Sequence, residues 1–413
     1  MYNTEDNKQI AILASVNTGA FDADDSMDEL EELADTAGAE VVARVIQNMP
    51  LINNASYLGS GKLQEIRDLA EKLGANLLIV DDELSGAQIR NIEDITNLDV
   101  VDRTMLILDI FAQRARSNEG KLQVELAQQK YLMPRLLGMG TKLSRLGGGI
   151  GTRGPGETKL ESDRRHIRRR IDALEAELKE VARRRGDRRQ RRKKNDIPTF
   201  AIVGYTNAGK STLLNRLTDA GVYAQDQLFA TLDPTARELL LPSGQKIVLV
   251  DTVGLLRRLP HQLIRAFEST LEEAAEADFI LHVCDLSNEN VTEQKTVAEE
   301  LLNELGCADI PMLTVYNKCD RVIEAMRPQE SDSLVCISAK TGENLDRLTA
   351  KIEKLLSERM REMAILLPYS AGGELERLRK LGQIHSLDYT ENGMEVTAAV
   401  PKALEHLFEE YMK

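Results

Sequence analysis

The chain has 413 residues, too many for one ordinary domain, and this length predicts about two to four domains. Its net charge of −14 and pI near 5.1 argue against a general attraction to polyanions such as DNA. The four widely spaced cysteines indicate neither a zinc site nor a disulfide framework, and no apolar run is long enough for a membrane span. With a polar N-terminus, these features predict a cytoplasmic protein without a signal peptide.

Residues 1–117 alternate between short apolar runs and amphipathic segments. Strands are predicted at 10–14, 40–46, 76–80 and 100–101, and helices at 26–34, 61–73, 85–95 and 104–115. This alternation predicts a small N-terminal α/β domain with a parallel sheet. The run 59–62 (Gly-Ser-Gly-Lys) resembles the end of a phosphate-binding loop but lacks its first glycine, because position 56 is Ser. The turn before a helix is therefore favoured.

Residues 118–196 predict a long antiparallel helical hairpin. The first helix covers 119–131 and ends near Pro134. The second carries a heptad stripe made of Leu160, Ile167, Ile171, Leu174, Leu178 and Val181. The connection, 138–156, contains eight glycines together with Lys142, Arg145 and Arg153. A flexible loop and a tip that folds against a phosphate-rich surface are equally compatible with this composition.

The second helix ends in a basic segment. Residues 164–194 contain fifteen Lys and Arg against five acidic residues, a net +10 that leaves −24 for the rest of the chain. Charge runs are usually solvated surfaces, but such segregation within an acidic protein favours contact with nucleic acid. Aromatic residues are few and Trp is absent, so we expect recognition of the backbone and shape of folded RNA. The candidate contacts are Arg153 and residues 183–194.

Residues 197–358 contain the motifs that carry chemistry. The first is the phosphate-binding loop G-x-x-x-x-G-K-[ST], here Gly204-Tyr205-Thr206-Asn207-Ala208-Gly209-Lys210-Ser211 and followed by Thr212. A predicted strand at 200–203 precedes it and a predicted helix at 211–217 follows. Backbone N–H groups and the helix N-terminus can then surround phosphate oxygens, an arrangement that disfavours a chance glycine turn. We expect Lys210 to reach the β- and γ-phosphates and Ser211 to bind Mg²⁺.

Two further segments are predicted to sense the γ-phosphate. The polar run 225–235 includes Phe229, Ala230, Thr231, Leu232 and Asp233, and Thr231 is the first candidate to complete Mg²⁺ coordination, with Thr235 second. After a strand at 247–250 come Asp251, Thr252, Val253 and Gly254. Asp251 is expected to hold Mg²⁺ through water, and the Gly254 N–H to contact the γ-phosphate. Lys210, Thr231 and Gly254 are the catalytic candidates, and both segments are predicted to respond to the triphosphate as a switch.

The base is predicted to lie between two other loops. The first is Asn317-Lys318-Cys319-Asp320, after a strand at 312–316, and the second is Ser338-Ala339-Lys340, after a strand at 334–337. Asn317 and Asp320 are the candidates that select guanine, since a carboxylate can accept both N1–H and N2–H₂ and adenine has no matching pair of donors. Any one of these motifs is weak alone. Together and in this order they predict a GTPase and disfavour an ATPase.

Position 255, directly after D-x-x-G, departs from Ras-type GTPases. Those proteins have a glutamine there that orients the attacking water, whereas this chain has Leu255. Leucine can neither donate nor accept a proton. We therefore expect slow intrinsic hydrolysis, with the water positioned by backbone groups or by groups that a partner orders.

Residues 359–413 predict a small α+β domain. A strand at 363–367, a helix at 373–381, a hairpin of strands 386–389 and 394–400, and a closing helix at 403–411 are expected. No chemistry is indicated, so docking is the expected role. The predicted domains are thus 1–117, 118–196, 197–358 and 359–413, the third with a mostly parallel sheet and helices on both faces.

Several segments resemble one family closely. They are 147–157 (GGGIGTRGPGE), 160–165 (LESDRR), 106–115 (LILDIFAQRA), 229–233 (FATLD) and the hydrophobic Leu255. With these the chain resembles the HflX-type GTPases, in the class that includes the Obg-like proteins. The resemblance covers nearly the whole chain.

This resemblance implies a Mg²⁺-dependent GTPase that binds the large ribosomal subunit and its rRNA as a monomer. The hairpin would reach the peptidyl-transferase region, and the GTP form would separate stalled subunits under stress. The family is also reported to bind ATP or unwind RNA through its N-terminal domain, although no second phosphate-binding loop is found in this sequence.

Two other functions stay open at this point. One is a large-subunit assembly factor that uses GTP as a checkpoint. The other is a nucleotide-regulated adaptor of a membrane protease, for which peripheral association with a membrane would be expected and RNA would have no role.

Overall fold

A computed structural model of the chain describes residues 9–19, 22–135, 159–194, 197–218, 235–255, 274–358 and 360–412. These residues form three separate sheets, named here the N-terminal, central and C-terminal sheets. The predicted α/β fold class is confirmed. Within these ranges no helix is long and apolar enough to cross a membrane.

The N-terminal sheet is fully parallel, with strand order β2-β1-β3-β4. Its strands are β1 (Ile10–Asn17), β2 (Glu40–Asn48), β3 (Leu77–Val80) and β4 (Asp99–Asp102). The helices between and after them are α1 (Ala23–Thr36), α2 (Ser60–Leu73), α3 (Gly86–Thr96) and α4 (Arg103–Arg114). Helix α1 begins three residues before the predicted start, because the Asp22 carboxylate caps the backbone N–H groups of Asp24 and Asp25. Gly59 lies at the N-cap of α2, in agreement with the helix turn that the sequence favours.

Two long helices follow, α5 (Asn118–Arg135) and α6 (Lys159–Lys194). They pack through Leu122 and Leu126 of α5 and through Ile171 and Leu174 of the predicted heptad stripe. The predicted helix at 119–131 is confirmed, and among the described residues α5 continues to Arg135, next to Pro134, near which the sequence predicts its end. The Arg135 guanidinium holds this last turn by donating to the carbonyl oxygens of Leu84 and Tyr131 and to the Glu83 carboxylate. The glycine-rich connection and Arg153 lie outside the described residues.

The central sheet has strand order β10-β9-β8-β5-β7-β6, and only β6 is antiparallel to its neighbour. Its strands are β5 (Thr199–Gly204), β6 (Thr235–Leu240), β7 (Lys246–Asp251), β8 (Phe279–Asp285), β9 (Met312–Asn317) and β10 (Leu334–Cys336). The associated helices are α7 (Lys210–Thr218), α8 (Val291–Glu304) and α9 (Leu345–Glu358). Strand β5 lies in the interior between β8 and β7, so the loop after it opens at the middle of the carboxyl edge.

The C-terminal sheet consists of β11 (Met360–Leu367), β12 (Gln383–Thr390) and β13 (Gly393–Pro401) in the antiparallel order β11-β13-β12. Helix α10 (Gly372–Leu381) packs on it. The predicted closing helix at 403–411 is wrong. The segment forms two 3₁₀ turns, Lys402–Leu407 and Glu409–Tyr411, because the chain breaks at Phe408 and its fully buried ring enters the core of this sheet.

The N-terminal and central sheets share one apolar core. Leu30 on α1 and Phe111 on α4 belong to the same buried cluster as Tyr205, which follows β5, and Val253 and Leu255, which follow β7. The phosphate-binding loop therefore lies at the contact between the two sheets.

Candidate nucleotide-binding site

The phosphate-binding loop starts where β5 ends and closes where α7 begins at Lys210. Its two glycines are required by close contacts. A Cβ on Gly204 would lie 2.0 Å from the carbonyl oxygen of Val283, and a Cβ on Gly209 would lie 2.2 Å from Asn317 Nδ2. Gly209 also has φ +91°, a conformation that side chains disfavour.

Lys210 spans the loop from inside. Its Nζ donates to the carbonyl oxygens of Gly204, at 3.0 Å, and Tyr205, at 2.8 Å. Burial lowers the pKa of Lys210 to about 8, and the nearby Asp251 carboxylate opposes that shift. The ammonium group is thus charged at neutral pH and held beside the loop that is expected to bind phosphate.

The candidate metal ligands Ser211 and Asp251 meet at the N-terminus of α7. The buried Ser211 hydroxyl donates to Asp251 Oδ2 at 2.8 Å, and Asp251 is fully buried at the end of β7. A hydroxyl and a carboxylate are hard oxygen ligands, so this pair fits a magnesium ion. The segment 229–233, with Thr231, lies outside the described residues. The second candidate, Thr235, pairs directly with Asp251 in the β6–β7 ladder.

The chain after Asp251 lies against the phosphate-binding loop. The Leu255 N–H donates to the Gly204 carbonyl oxygen at 3.1 Å, and the Thr206 N–H donates to the Leu255 carbonyl oxygen at 2.8 Å. These bonds bring Gly254 close to the loop. A Cβ on Gly254 would lie 2.6 Å from Thr206 Cγ2 and 3.2 Å from Lys210 Nζ.

The other two residues of this segment are also buried. The Thr252 hydroxyl donates to the Ile202 carbonyl oxygen at 2.8 Å, and Val253 belongs to the shared apolar core. The Leu255 side chain is 2% exposed in the same core. It therefore cannot orient an attacking water molecule from where it lies.

Asn317 connects three loops of the site. Its Nδ2 donates to the Ala208 carbonyl oxygen at 2.8 Å, and its Oδ1 accepts from the Ala339 N–H at 2.9 Å. With 2% of its surface exposed, Asn317 braces the loops from below. The Asp320 carboxylate is exposed, so it is the better placed of the two candidates to meet a guanine base.

The loops around Asn317 are held by further contacts. Lys318 has φ +62° and forms an ion pair with Asp285 at 2.7 Å. The Cys319 N–H donates to the Ile337 carbonyl oxygen at 3.1 Å. The buried Ser338 hydroxyl accepts from the Thr341 N–H at 3.2 Å, while Lys340 is exposed.

Sequence reasoning missed the bracing contacts of Asn317 and the partner of Lys318. A signal for Asp285 was present, since it is an acidic residue that ends the apolar run of β8 (Phe279–Asp285). Carboxyl ends of neighbouring parallel strands meet at one edge, and β8 lies between β9 and β5.

Family models match the chain in three consecutive ranges. They are described as "GTP-binding GTPase N-terminal" (24–112), "GTP-binding GTPase Middle Region" (114–192) and "50S ribosome-binding GTPase" (199–318). Among curated proteins, "GTPase HflX" of Caldanaerobacter subterraneus subsp. tengcongensis is 52% identical over 394 residues, 95% of this chain and 91% of that protein. "GTPase HflX" of Lacrimispora saccharolytica is 54% identical over 396 residues, 95% of this chain and 94% of that protein.

The chain belongs to the HflX family of GTPases. A third relative, "GTPase HflX" of Escherichia coli, is 41% identical over 402 residues, 95% of this chain and 93% of that protein. The predicted resemblance and the predicted class of enzyme, a GTPase, are confirmed. In this HflX GTPase the phosphate-binding loop, the segment after β7 and the two loops predicted to bind the base lie along the carboxyl edge of the central sheet.

Proposed function

We propose that this HflX GTPase acts on the large ribosomal subunit and its rRNA as a GTP-driven switch that separates stalled ribosomes. The observation that carries the proposal is the match of residues 199–318 to a family described as a 50S ribosome-binding GTPase. Exposed arginines on the described part of α6, Arg168 and Arg169 among them, support it.

Within the site, Lys210 and the backbone of residues 204–211 bind the phosphates. Ser211, Asp251 and Thr231 are the residues that would hold Mg²⁺, and the bound ion would neutralise charge on the phosphate oxygens. The Gly254 N–H contacts the γ-phosphate. Asp320 selects guanine, with Asn317 holding its loop against the phosphate-binding loop.

Hydrolysis without a partner is slow in this proposal. Leu255 is buried in the core shared with the N-terminal sheet, so no side chain at this position orients water. The ribosome accelerates turnover by ordering groups around the γ-phosphate, in the way that partners complete other GTPase sites.

The RNA contact is assigned to the hairpin, in the predicted domain 118–196. Arg168 and Arg169 on α6 are exposed to solvent. Arg170, by contrast, pairs with Glu125 of α5 at 2.6 Å, and Arg183 with Glu180 at 2.9 Å. The first two are therefore the more available to phosphate groups, and each phosphate contact adds salt dependence to binding.

The test is GTP turnover of the purified protein with and without large subunits, at two salt concentrations. We expect strong stimulation that weakens at the higher salt. Arg168→Glu with Arg169→Glu should remove most of the stimulation and leave unstimulated turnover intact. A matched control is Arg67→Glu with Arg90→Glu, the same charge change on exposed positions of α2 and α3.

If large subunits stimulated turnover at neither salt concentration, not even the lower one, the ribosomal role would be overturned. An adaptor that does not use RNA would then be favoured. Sedimentation separates the remaining alternatives. A splitting factor converts whole ribosomes to subunits when GTP is present, whereas an assembly factor associates only with immature particles.

A further inference from the structure

The phosphate-binding loop is tied to the N-terminal sheet by a side chain. The hydroxyl of Tyr205, the second residue of the loop, donates to Glu29 Oε2 on α1 at 2.7 Å. Tyr205 is 6% exposed, and the Glu29 side chain 12%. This bond joins residues 176 positions apart in sequence and crosses the contact between the two sheets.

Glu29 is itself held in place by buried charges. The Arg103 guanidinium donates to Glu29 Oε1 and, at 2.9 Å, to Asp81 Oδ1. Burial acts to lower the pKa of Arg103, but the carboxylates of Glu29 and Asp81 outweigh it, and the pKa is raised. Asp81 also accepts from the Ser26 hydroxyl at 2.6 Å.

Arg103 lies in a buried, hydrogen-bonded part of the N-terminal structure, at the start of α4. It is the first residue of α4, directly after Asp102, whose carboxylate accepts from the Met105 N–H at 2.9 Å and from the Tyr131 hydroxyl of α5. Neither Arg103 nor Asp102 is more than 3% exposed. Glu29 therefore offers Tyr205 an acceptor whose position is set by the N-terminal sheet.

The part of the loop that Tyr205 anchors also holds the groups expected at the γ-phosphate. The Tyr205 carbonyl oxygen accepts from Lys210 Nζ. Its neighbours in sequence, Gly204 and Thr206, hold the backbone of Leu255 through two hydrogen bonds. A shift of Tyr205 would consequently move Lys210 and the segment that contains Gly254.

We propose that Glu29 is a positioning residue for GTP hydrolysis, acting on the phosphate-binding loop through the Tyr205 hydroxyl. Glu29 sets the alignment of Lys210 and Gly254 and does not itself contact the nucleotide. Because the Gly254 segment serves the γ-phosphate, losing this contact slows turnover more than it weakens GDP binding.

A double-mutant cycle without ribosomes tests this proposal apart from the ribosomal role. Glu29→Ala and Tyr205→Phe each remove the hydrogen bond, which has a charged acceptor, and we expect each to lower kcat about tenfold. The double variant should lose no more than either single one. GDP affinity should change less than about threefold in all of them, a split that general unfolding would not produce.

Two further variants distinguish the effect of losing this hydrogen bond from the effect of weakening the contact between the two sheets. Glu29→Gln keeps one acceptor oxygen in place of two, so it can accept from Tyr205 only by giving up the bond from Arg103, and it should recover part of the turnover lost in Glu29→Ala. Asn290→Ala removes another 2.7 Å bond across the same contact, from Asn290 Nδ2 to Asp25, and should leave kcat unchanged.

Additive losses in the double variant would overturn the proposal. So would a loss in Asn290→Ala equal to that in Glu29→Ala, since any weakening of the interface would then suffice. A parallel fall of GDP affinity and kcat would likewise show that the contact only maintains the fold.

Discussion

The N-terminal and central sheets are both parallel α/β structures, yet their carboxyl edges differ in what fills them. At the N-terminal edge, Asp81, Asp102 and Arg103 are almost completely buried. Arg103 donates to Asp81, and Asp102 accepts from the Tyr131 hydroxyl. At the central edge, β5 ends in Gly204 and its loop closes at Gly209, both too crowded for a Cβ. The common architecture places loops at this edge, but the residue types decide whether the edge receives a ligand or is closed by its own side chains.

The buried charged side chains of the two sheets also differ in their partners. In the N-terminal sheet the buried charges neutralise one another inside the protein, as Arg103 does with Asp81 and Glu29. In the central sheet Lys210 is buried with backbone carbonyl oxygens as its hydrogen-bond acceptors, so its charge is available to an incoming phosphate.

The largest effect is expected from Gly209→Ala, which adds a side chain to the phosphate-binding loop at the carboxyl edge of the central sheet. The new Cβ would lie 2.2 Å from Asn317 Nδ2, at φ +91°, so the loop must move away from its phosphate-binding geometry. We expect GTP affinity to fall by about a thousandfold or more, because the displaced loop leaves its N–H groups and the phosphate oxygens unpaired. Binding of a fluorescent nucleotide measures this affinity. Gly244→Ala is the matched control, because Gly244 has φ +84° and nothing lies within 4 Å of its Cβ. If both variants lost affinity equally, backbone strain and not crowding at the edge would be responsible.

A comparable change of specificity is expected from Asp320→Asn. The carboxylate can accept both guanine donors, whereas an amide can accept from N1–H and donate to a carbonyl at C2, which xanthine has. We expect GTP turnover to fall by about a thousandfold and xanthosine triphosphate to become the better substrate. Competition between the two nucleotides measures the switch. Unchanged preference for GTP would assign base selection elsewhere in the site.

Arg103→Met removes a buried positive charge from the carboxyl edge of the N-terminal sheet and should destabilise the protein. The substitution leaves the fully buried Asp81 without its cationic partner, and breaking a buried pair in this way costs about 3–5 kcal/mol. Urea unfolding followed by circular dichroism measures it. Arg44→Met is the control, because Arg44 forms exposed ion pairs with Asp28 and Glu31 and should cost less than about 1 kcal/mol. Equal costs for the two variants would contradict the assignment of Arg103 as a buried structural charge.

A smaller effect is expected from titrating Lys210. Burial lowers its pKa to about 8, and bound phosphate favours the charged form, so nucleotide binding above pH 8 requires uptake of a proton. GDP affinity should therefore be nearly constant from pH 6.5 to 7.5 and fall by up to about tenfold per pH unit above 8. Calorimetry in buffers of different ionisation enthalpy measures the proton uptake. A constant affinity up to pH 9 would mean that Lys210 stays charged in the free protein.

The sequence by itself determined the fold class, the site motifs and most of the element order. Residues 204–211, 251–254 and 317–320 are continuous stretches whose backbone conformation depends on their own residue types, chiefly glycine next to apolar strands. The heptad stripe likewise predicted the packing of α6 against α5, because helix periodicity places Ile171 and Leu174 on one face. The segment 403–411 escaped this approach, since burial of the Phe408 ring in the core of the C-terminal sheet overrides the local helix signal.

Only the tertiary structure decided which distant side chains meet. Asn317 braces Ala208 and Ala339, Lys318 pairs with Asp285, and Glu29 accepts from Tyr205. No local pattern marks these pairs, because each depends on how strands are ordered within a sheet or on how two sheets dock. A hydrogen bond requires positions correct to a few tenths of an ångström, and that precision arises only once the shared apolar core has brought the two sheets together.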